Sequence, residues 1–416
     1  MRILVISTCF HPKNSIASYR IEAFARYFRE AGHSVTVLTE GERDEVAAWH
    51  GCEVRYVATP LFPESELARL WTARGTGAWL RRKLHSLMVR TTADMKFTWR
   101  HRALREAVRL FAQGGFDVVL SSYMPLAPHM VALGLRRKGY AFRWVADMRD
   151  EMSQLTLSPR YVQRRIVPYE RRILRSADLV TTVSDPIIEG FRSICGHDRF
   201  LRVMNGYEFD EVHDAAFQPR FTMAFVGHFY WAITPDHWFR AVSELLHEGA
   251  LRAEECRIEL IGDHRNVRIP EHLTSVVHVA GEVPHDEAFA RMLRADTLVL
   301  IHPTGRKGVY TGKIFDYLPT NKPILALCDP RDVAAELLRE TGAGFAVDND
   351  DIAGIKAQIL RCYSIWRNRE VLPRDWDRIR QYTRRNQTRI LIDRLAGGAH
   401  PASGAHTHGG ERLNNR

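Results

Sequence analysis

The chain reads as an α/β protein made of two doubly wound parallel-sheet domains, and three features lead there. A short apolar run at 3–7 is followed by a segment with helical spacing of apolar residues and then by a second apolar run. That order, strand then helix then strand, demands a parallel sheet. The alternation continues to about residue 200, stops in a polar, turn-rich stretch, and starts afresh at Phe221 on the same plan.

In the first half a helix is expected over 18–31, because Ile21, Phe24, Ala25 and Phe28 stand at i, i+3, i+4 and i+7. Gly32 ends it as a C-cap residue, and the next strand is 35–38. Further strands are expected at 118–121, 144–146 and 179–183, with a helix over 127–138. The polar stretch 205–219, opened by Asn205 and Gly206, suits a hinge. Beyond it, strands at 221–226, 257–261, 276–279, 298–301, 324–327 and 345–347 alternate with helices at 235–247, 286–293, 313–318, 333–340 and 352–362. After Pro373 one basic amphipathic helix is expected over about 376–395, and the Gly-, His- and Asn-rich tail is expected to be disordered. The division is therefore 1–204 and 220–373 for the two domains, 205–219 for the hinge, 374–396 for the last helix and 397–416 for the tail.

With 416 residues, each half is long enough for its own core. The six cysteines show no CxxC spacing, so neither a disulfide framework nor a metal site is expected, and a reducing cytoplasm fits. The first apolar run is cut short by His11, Pro12 and Lys13, which makes it a strand rather than a signal peptide. Nothing approaches the ~18 apolar residues of a membrane span. The histidines do not cluster at ligand spacings, and no metal or other cofactor is expected.

Charge is unevenly placed. From 61 to 110, eleven cations stand against four carboxylates, 11 − 4 = +7, interleaved with Trp71, Trp79, Leu80, Leu84, Leu87, Met88, Phe97 and Trp99. Two readings stay open. One is a helix pair at an anionic membrane surface, with Arg81, Arg82, Lys83 and Arg90 toward headgroups; the other is a helix pair with core aromatics and solvated arginines. No nucleic-acid-binding motif occurs, so nucleic acid is not an expected partner.

The segment 308–327, GVYTGKIFDYLPTNKPILAL, carries the most chemistry. Arg306, Lys307 and Lys313 surround a helix start at Thr311 and Gly312, and Asp316 follows on that helix. Cations and free N–H groups at a helix N-terminus suit a diphosphate, and a carboxylate further along can accept hydrogen bonds from ribose hydroxyls. A solvated basic loop is the alternative. Strand-ending glycines recur at Gly227 (before His228), Gly262 and Gly281 (before Glu282), where phosphates can approach the backbone. In the first half, Asp147, Arg149, Asp150 and Glu151 end the strand around 144–146, as a site or as an ion-pair knot. Ser184 and Asp185 either join that site or cap the next helix. There is no GxGxxG after the first strand, no GxxxxGK[ST] and no GxSxG, which argues against dinucleotide oxidoreductases, P-loop NTPases and α/β-hydrolases.

In order and spacing, the segments RIEAFARYFREAGHSVTVLT, FDVVLSSYMPLAPHMVA, VADMRDEM, SADLVTTVS, NGYE, FVGHFY, TGKIFDYLPTNKPILAL and AGFAVDNDD resemble a retaining glycosyltransferase of the GT-B fold. The group is the family 4 one that builds bacterial surface polysaccharides and glycolipids. The resemblance spans Met1 to about Leu395 and implies two Rossmann-like domains facing across a cleft. It further implies a nucleotide-sugar donor held by the second domain and a glycan, lipid-linked or small-molecule acceptor met by the first. Cytoplasmic work at the inner membrane face would follow. The family's pair of Glu residues eight apart falls on Gly308 and Asp316, so the first carboxylate is absent and the second is a methylene short. The family's Arg and Lys diphosphate contacts are missing from GHFYWAITP, which leaves Arg306, Lys307 and above all Lys313 as substitutes. Asp147, Arg149 and Asp150 would lie beside the transferred sugar, with Asp150 orienting the acceptor hydroxyl. A UDP-sugar epimerase and a non-catalytic nucleotide-sugar-binding protein share this fold and stay as alternatives.

Overall fold

The computed structural model describes residues 1–153, 160–213, 216–229, 233–264, 267–302 and 307–397. The tail expected to be disordered falls, from 398 on, outside the described residues. Eight strands form the first sheet: β1 Arg2–Ile6, β2 Ser34–Gly41, β3 Glu45–Trp49, β4 Cys52–Ala58, β5 Val118–Tyr123, β6 Arg143–Met148, β7 Leu179–Thr182 and β8 Phe200–Arg202. Their spatial order is β3-β4-β2-β1-β5-β6-β7-β8, parallel except for the β3–β4 hairpin at one edge. Six parallel strands form the second: β9 Phe221–Val226, β10 Cys256–Ile261, β11 Val277–Gly281, β12 Thr297–Ile301, β13 Ile324–Leu327 and β14 Gly344–Val347, in the order β11-β10-β9-β12-β13-β14. Helices cover both faces of each sheet. Central strands such as β5 and β12 are therefore buried throughout and carry apolar runs, 118–120 in β5 and 298–301 in β12.

Local chemistry sets the element ends. Helix Ile16–Glu30 starts where the Ser15 hydroxyl accepts the Ser18 amide at 3.1 Å, and Ile21, Phe24 and Phe28 carry its buried face. The β3–β4 hairpin turns through His50 and Gly51, both at positive φ (46° and 76°), the two-residue turn that matches strand twist.

Two helix expectations are corrected. Residues 61–110 hold three helices, Glu64–Thr72, Thr76–Thr92 and Phe97–Ala112, rather than a pair. Trp99 is core, while the side chain of Trp71 lies outside the described residues. The single helix expected over 376–395 is two, Trp376–Gln381 and Arg384–Ala396, because the chain between them pairs with the hinge. The Tyr207 amide donates to Tyr382 O (3.0 Å), the Arg384 amide donates to Tyr207 O (2.9 Å), and Thr383 then caps the second helix through the Asn386 amide.

That last helix returns to the first domain. Leu391 and Leu395 join the core of Ile3, Val5, Phe24 and Phe28, the Met204 amide donates to Gln387 Oε1 at 2.7 Å, and Arg143 Nη1 donates to Leu395 O at 2.9 Å. The carboxyl ends of both sheets therefore look onto one cleft, with two chain crossings holding its back.

Candidate active site

Three glycines line the second sheet's side of the cleft. Gly227, Gly262 and Gly281 end the adjacent strands β9, β10 and β11 at φ of 118°, 133° and 77°. The Gly227 amide donates to Ile261 O and the Gly262 amide to Gly281 O, both at 2.8 Å, which turns the three strand ends in step. A Cβ on Gly262 would stand 2.2 Å from Gly227 O, and one on Gly227 would stand 2.3 Å from Lys313 Cε. Only glycine permits this close layer of exposed backbone.

Against it lies the short helix Gly312–Tyr317. Ile314, Phe315 and Tyr317 are its buried anchors, and Tyr317 OH accepts the Val226 amide (3.2 Å) and donates to Val299 O (3.3 Å). Lys313 and Asp316 remain toward the cleft, each partly open to solvent. The Lys313 ammonium sits 4.1 Å from the Phe225 ring centroid, beside Gly227, and burial pushes it down to about 7. Burial pushes the Asp316 carboxyl up to about 7, against the pull of Arg384. Neither has a hydrogen-bond or ion-pair partner among the described residues. Thr311, at the N-cap, has a buried hydroxyl that also lacks a partner there.

The remaining second-domain candidates separate. His228 accepts the Asp263 amide at 3.2 Å through Nδ1, beside the glycines, and Glu282 is exposed past the end of β11. Lys307 is exposed, with its charge on the Asp329 side of the loop, and Arg306 lies outside the described residues. A Cβ on Gly312 would stand 2.4 Å from Ile16 Cδ1 of the first domain. Gly308, the position without a carboxylate, is a clasp: Ser184 Oγ donates to its carbonyl, its amide donates to Asp332 Oδ1 (2.8 Å), and a Cβ would stand 2.7 Å from Pro186 Cβ. Ser184 thus makes no side-chain cap, and a glutamate at 308 would collide with the first domain.

The first-sheet candidates are corrected most. Asp147 is fully buried: Oδ1 accepts from Arg20 Nη2 and Thr181 Oγ1 (both 2.7 Å), and Oδ2 accepts from Arg20 Nε (3.1 Å) and Ser122 Oγ (2.8 Å). Burial alone would raise its pKa, but Arg20 and these hydrogen bonds hold it below the usual carboxylate range. Arg20 also donates to Met204 O at 2.9 Å, so the pair fastens helix, strand and hinge and leaves no oxygen for a substrate. Arg149 is likewise committed, to the carbonyls of Tyr123 and Met124. Asp150 is the half-buried carboxylate of the trio, close enough to Tyr123 to raise that phenol further after burial.

Sequence reasoning missed His264. It is buried on Phe229 and Phe225 (ring centroids 5.0 and 6.0 Å), and Lys313 lies within electrostatic reach. Its place two residues after a strand-ending glycine was the available signal.

Residues 17–206 match the glycosyl transferase 4-like domain model. No curated protein matches the chain in sequence. Among solved structures, sucrose-phosphate synthase from Thermosynechococcus elongatus is 14% identical, with 95% of this chain and 98% of that one covered at a TM-score of 0.63. HepE of Anabaena, in complex with UDP and glucose, is 13% identical over 95% and 99% of the two chains at 0.60. An α,α-trehalose-phosphate synthase (UDP-forming) of Burkholderia xenovorans, in complex with glucose-6-phosphate, is 11% identical over 95% and 100% at 0.62. The chain has the GT-B fold, and its residues 17–206 are similar to a glycosyl transferase 4-like domain.

Proposed function

We propose that this chain is a glycosyltransferase that moves a sugar from a UDP-sugar to a glycan, lipid-linked or small-molecule hydroxyl, with retention of anomeric configuration. The observation that supports it most is Lys313, an ammonium without an anionic partner among the described residues, held over a layer of glycine backbone. In this reading the diphosphate lies on Gly227 and Gly262 against Lys313 and the Thr311 hydroxyl, and the ribose hydroxyls reach Asp316. UDP is the favoured nucleotide because HepE is described with UDP and the Burkholderia enzyme as UDP-forming.

The bond from the anomeric carbon to the β-phosphate oxygen breaks, and its electron pair leaves with UDP. The acceptor oxygen bonds to the same carbon from the same face, and its proton passes to the phosphate. Lys313 opposes the charge that grows on the leaving group, so Lys313→Ala should lower kcat more than it raises KM. No metal is given a part; activity should survive EDTA, and loss restored by magnesium or manganese would transfer that role to an ion. Product analysis with a panel of UDP-sugars and acceptors tests the whole reading. UDP binding without turnover would identify a non-catalytic binder, and epimerised UDP-sugar without transfer an epimerase.

A further inference from the structure

Helix Thr76–Thr92 turns its apolar residues outward. Trp79, Leu80, Leu84 and Leu87 are 55%, 63%, 47% and 58% exposed. Leu80, Leu84 and Leu87 stand at i, i+4 and i+7, one stripe along the solvent side. The helix contains four cations and no carboxylate, but they are placed differently from the sequence expectation. Arg81 pairs with Glu66, Arg82 donates to the carbonyls of Leu70 and Ala73, and Met88 is only half-exposed. Lys83 lies over the Trp79 ring at 5.6 Å and Arg90 over Tyr161 at 5.6 Å, along one flank of the stripe.

Tyr161 belongs to a helix the sequence reading passed over, Arg160–Ser176. Its six arginines, Arg160, Arg164, Arg165, Arg171, Arg172 and Arg175, are all exposed, and its one carboxylate, Glu170, is buried. The two helices touch where Arg165 Nη1 donates to Arg90 O at 2.5 Å. Together they hold ten cations, 4 + 6, against that single buried carboxylate.

We infer that the two helices form one docking surface for an anionic lipid bilayer, with Trp79, Leu80, Leu84 and Leu87 in the interface and the arginines of 160–176 at headgroup phosphates. A second copy of the chain would bring like charges together, and a nucleic acid would leave the leucine stripe in water. An anionic bilayer satisfies both the stripe and the charge. The surface also adjoins the cleft, because the Ser153 amide, just past β6, donates to Glu170 Oε1 at 3.2 Å. A lipid-borne acceptor would arrive beside Asp150; this last clause rests on the transferase reading, whereas the docking does not.

Sedimentation of the full chain with phosphatidylcholine vesicles, with and without phosphatidylglycerol, tests it. Binding should require the anionic lipid and weaken with salt. Replacing Arg164, Arg171 and Arg172 with Gln should reduce it on the order of 100-fold, about fivefold per cation. Replacing Leu80, Leu84 and Leu87 with Ser, which leaves charge unchanged, should also reduce it at least tenfold, with thermal unfolding and UDP affinity unaltered in both variants. Equal binding to neutral vesicles, no binding, or full binding by the Ser variant would overturn the inference, as would a dimer that this variant dissociates. Failure of UDP to bind the wild type would instead count against the transferase reading alone.

Discussion

Asp147 and Lys313 both stand at sheet ends and both are largely withdrawn from water, yet their surroundings are opposites. Asp147 has both oxygens filled by Arg20, Ser122 and Thr181. Lys313 meets an aromatic ring and glycine backbone, and nothing anionic among the described residues. A satisfied buried charge holds the protein together, whereas a charge kept without a counterion is tolerated only where something else uses it. In the strand end rich in charge, Asp147 and Arg149 are taken up by contacts within the protein, and we propose that the strand ends rich in glycine receive the ligand.

The sharpest way to break this contrast is to remove each charge in turn. Asp147→Ala leaves the Arg20 guanidinium buried without its partner, and removing one member of a buried pair costs about 3–5 kcal/mol. Lys313→Met should leave stability unchanged or raised, since burial already disfavours the ammonium. Urea denaturation of both variants decides it; an Asp147→Ala protein as stable as wild type would return that carboxylate to the candidate catalytic groups. Next in size, Asp316→Ala should weaken UDP binding by about 1.5–3 kcal/mol through lost hydrogen bonds to a charged group. Unchanged affinity in calorimetry would remove Asp316 from the ribose site.

How far the sequence could lead follows the same division. All six strands of the second sheet were legible, because parallel strands covered on both faces are apolar runs between helices of clear periodicity. In the first sheet the edge hairpin was not: its turn is His50 and Gly51 rather than an Asn-Gly or Asp-Gly pair, and β8 is only three residues long. Gly227, Gly262 and Lys313 could be named from their places at strand and helix ends. That Asp147 is spent on Arg20 could not, because the two are 127 residues apart and meet only in the fold. The Gly308 clasp was hidden likewise, since Ser184 and Pro186 reach it from the other domain.

A backbone test is somewhat smaller. Gly262→Ala would force its Cβ into Gly227 O at a φ of 133°, a conformation that costs a non-glycine residue about 1–3 kcal/mol. If the glycine layer receives the diphosphate, the strain should appear as weaker UDP binding, roughly tenfold, beside a modest loss of stability. Full UDP affinity in this variant would place the phosphates elsewhere.

The smallest effect bears most directly on Lys313. Its pKa of about 7 in the free protein leaves it largely neutral at about pH 8, and an adjacent diphosphate favours the ammonium. UDP binding at that pH should therefore take up a fraction of a proton approaching one, and affinity should fall as pH rises above about 7. The groups nearby do not mimic this. Asp316, raised to about 7, is already mostly ionised at about pH 8 and stays so when it accepts ribose hydroxyls. His264, held below its usual range by burial, is neutral there. Calorimetry in two buffers of different ionisation enthalpy measures the uptake, and Lys313→Met should abolish it. Equal uptake in variant and wild type would mean that another group meets the phosphates, and the contrast between the two sheet ends would then rest on the glycines alone.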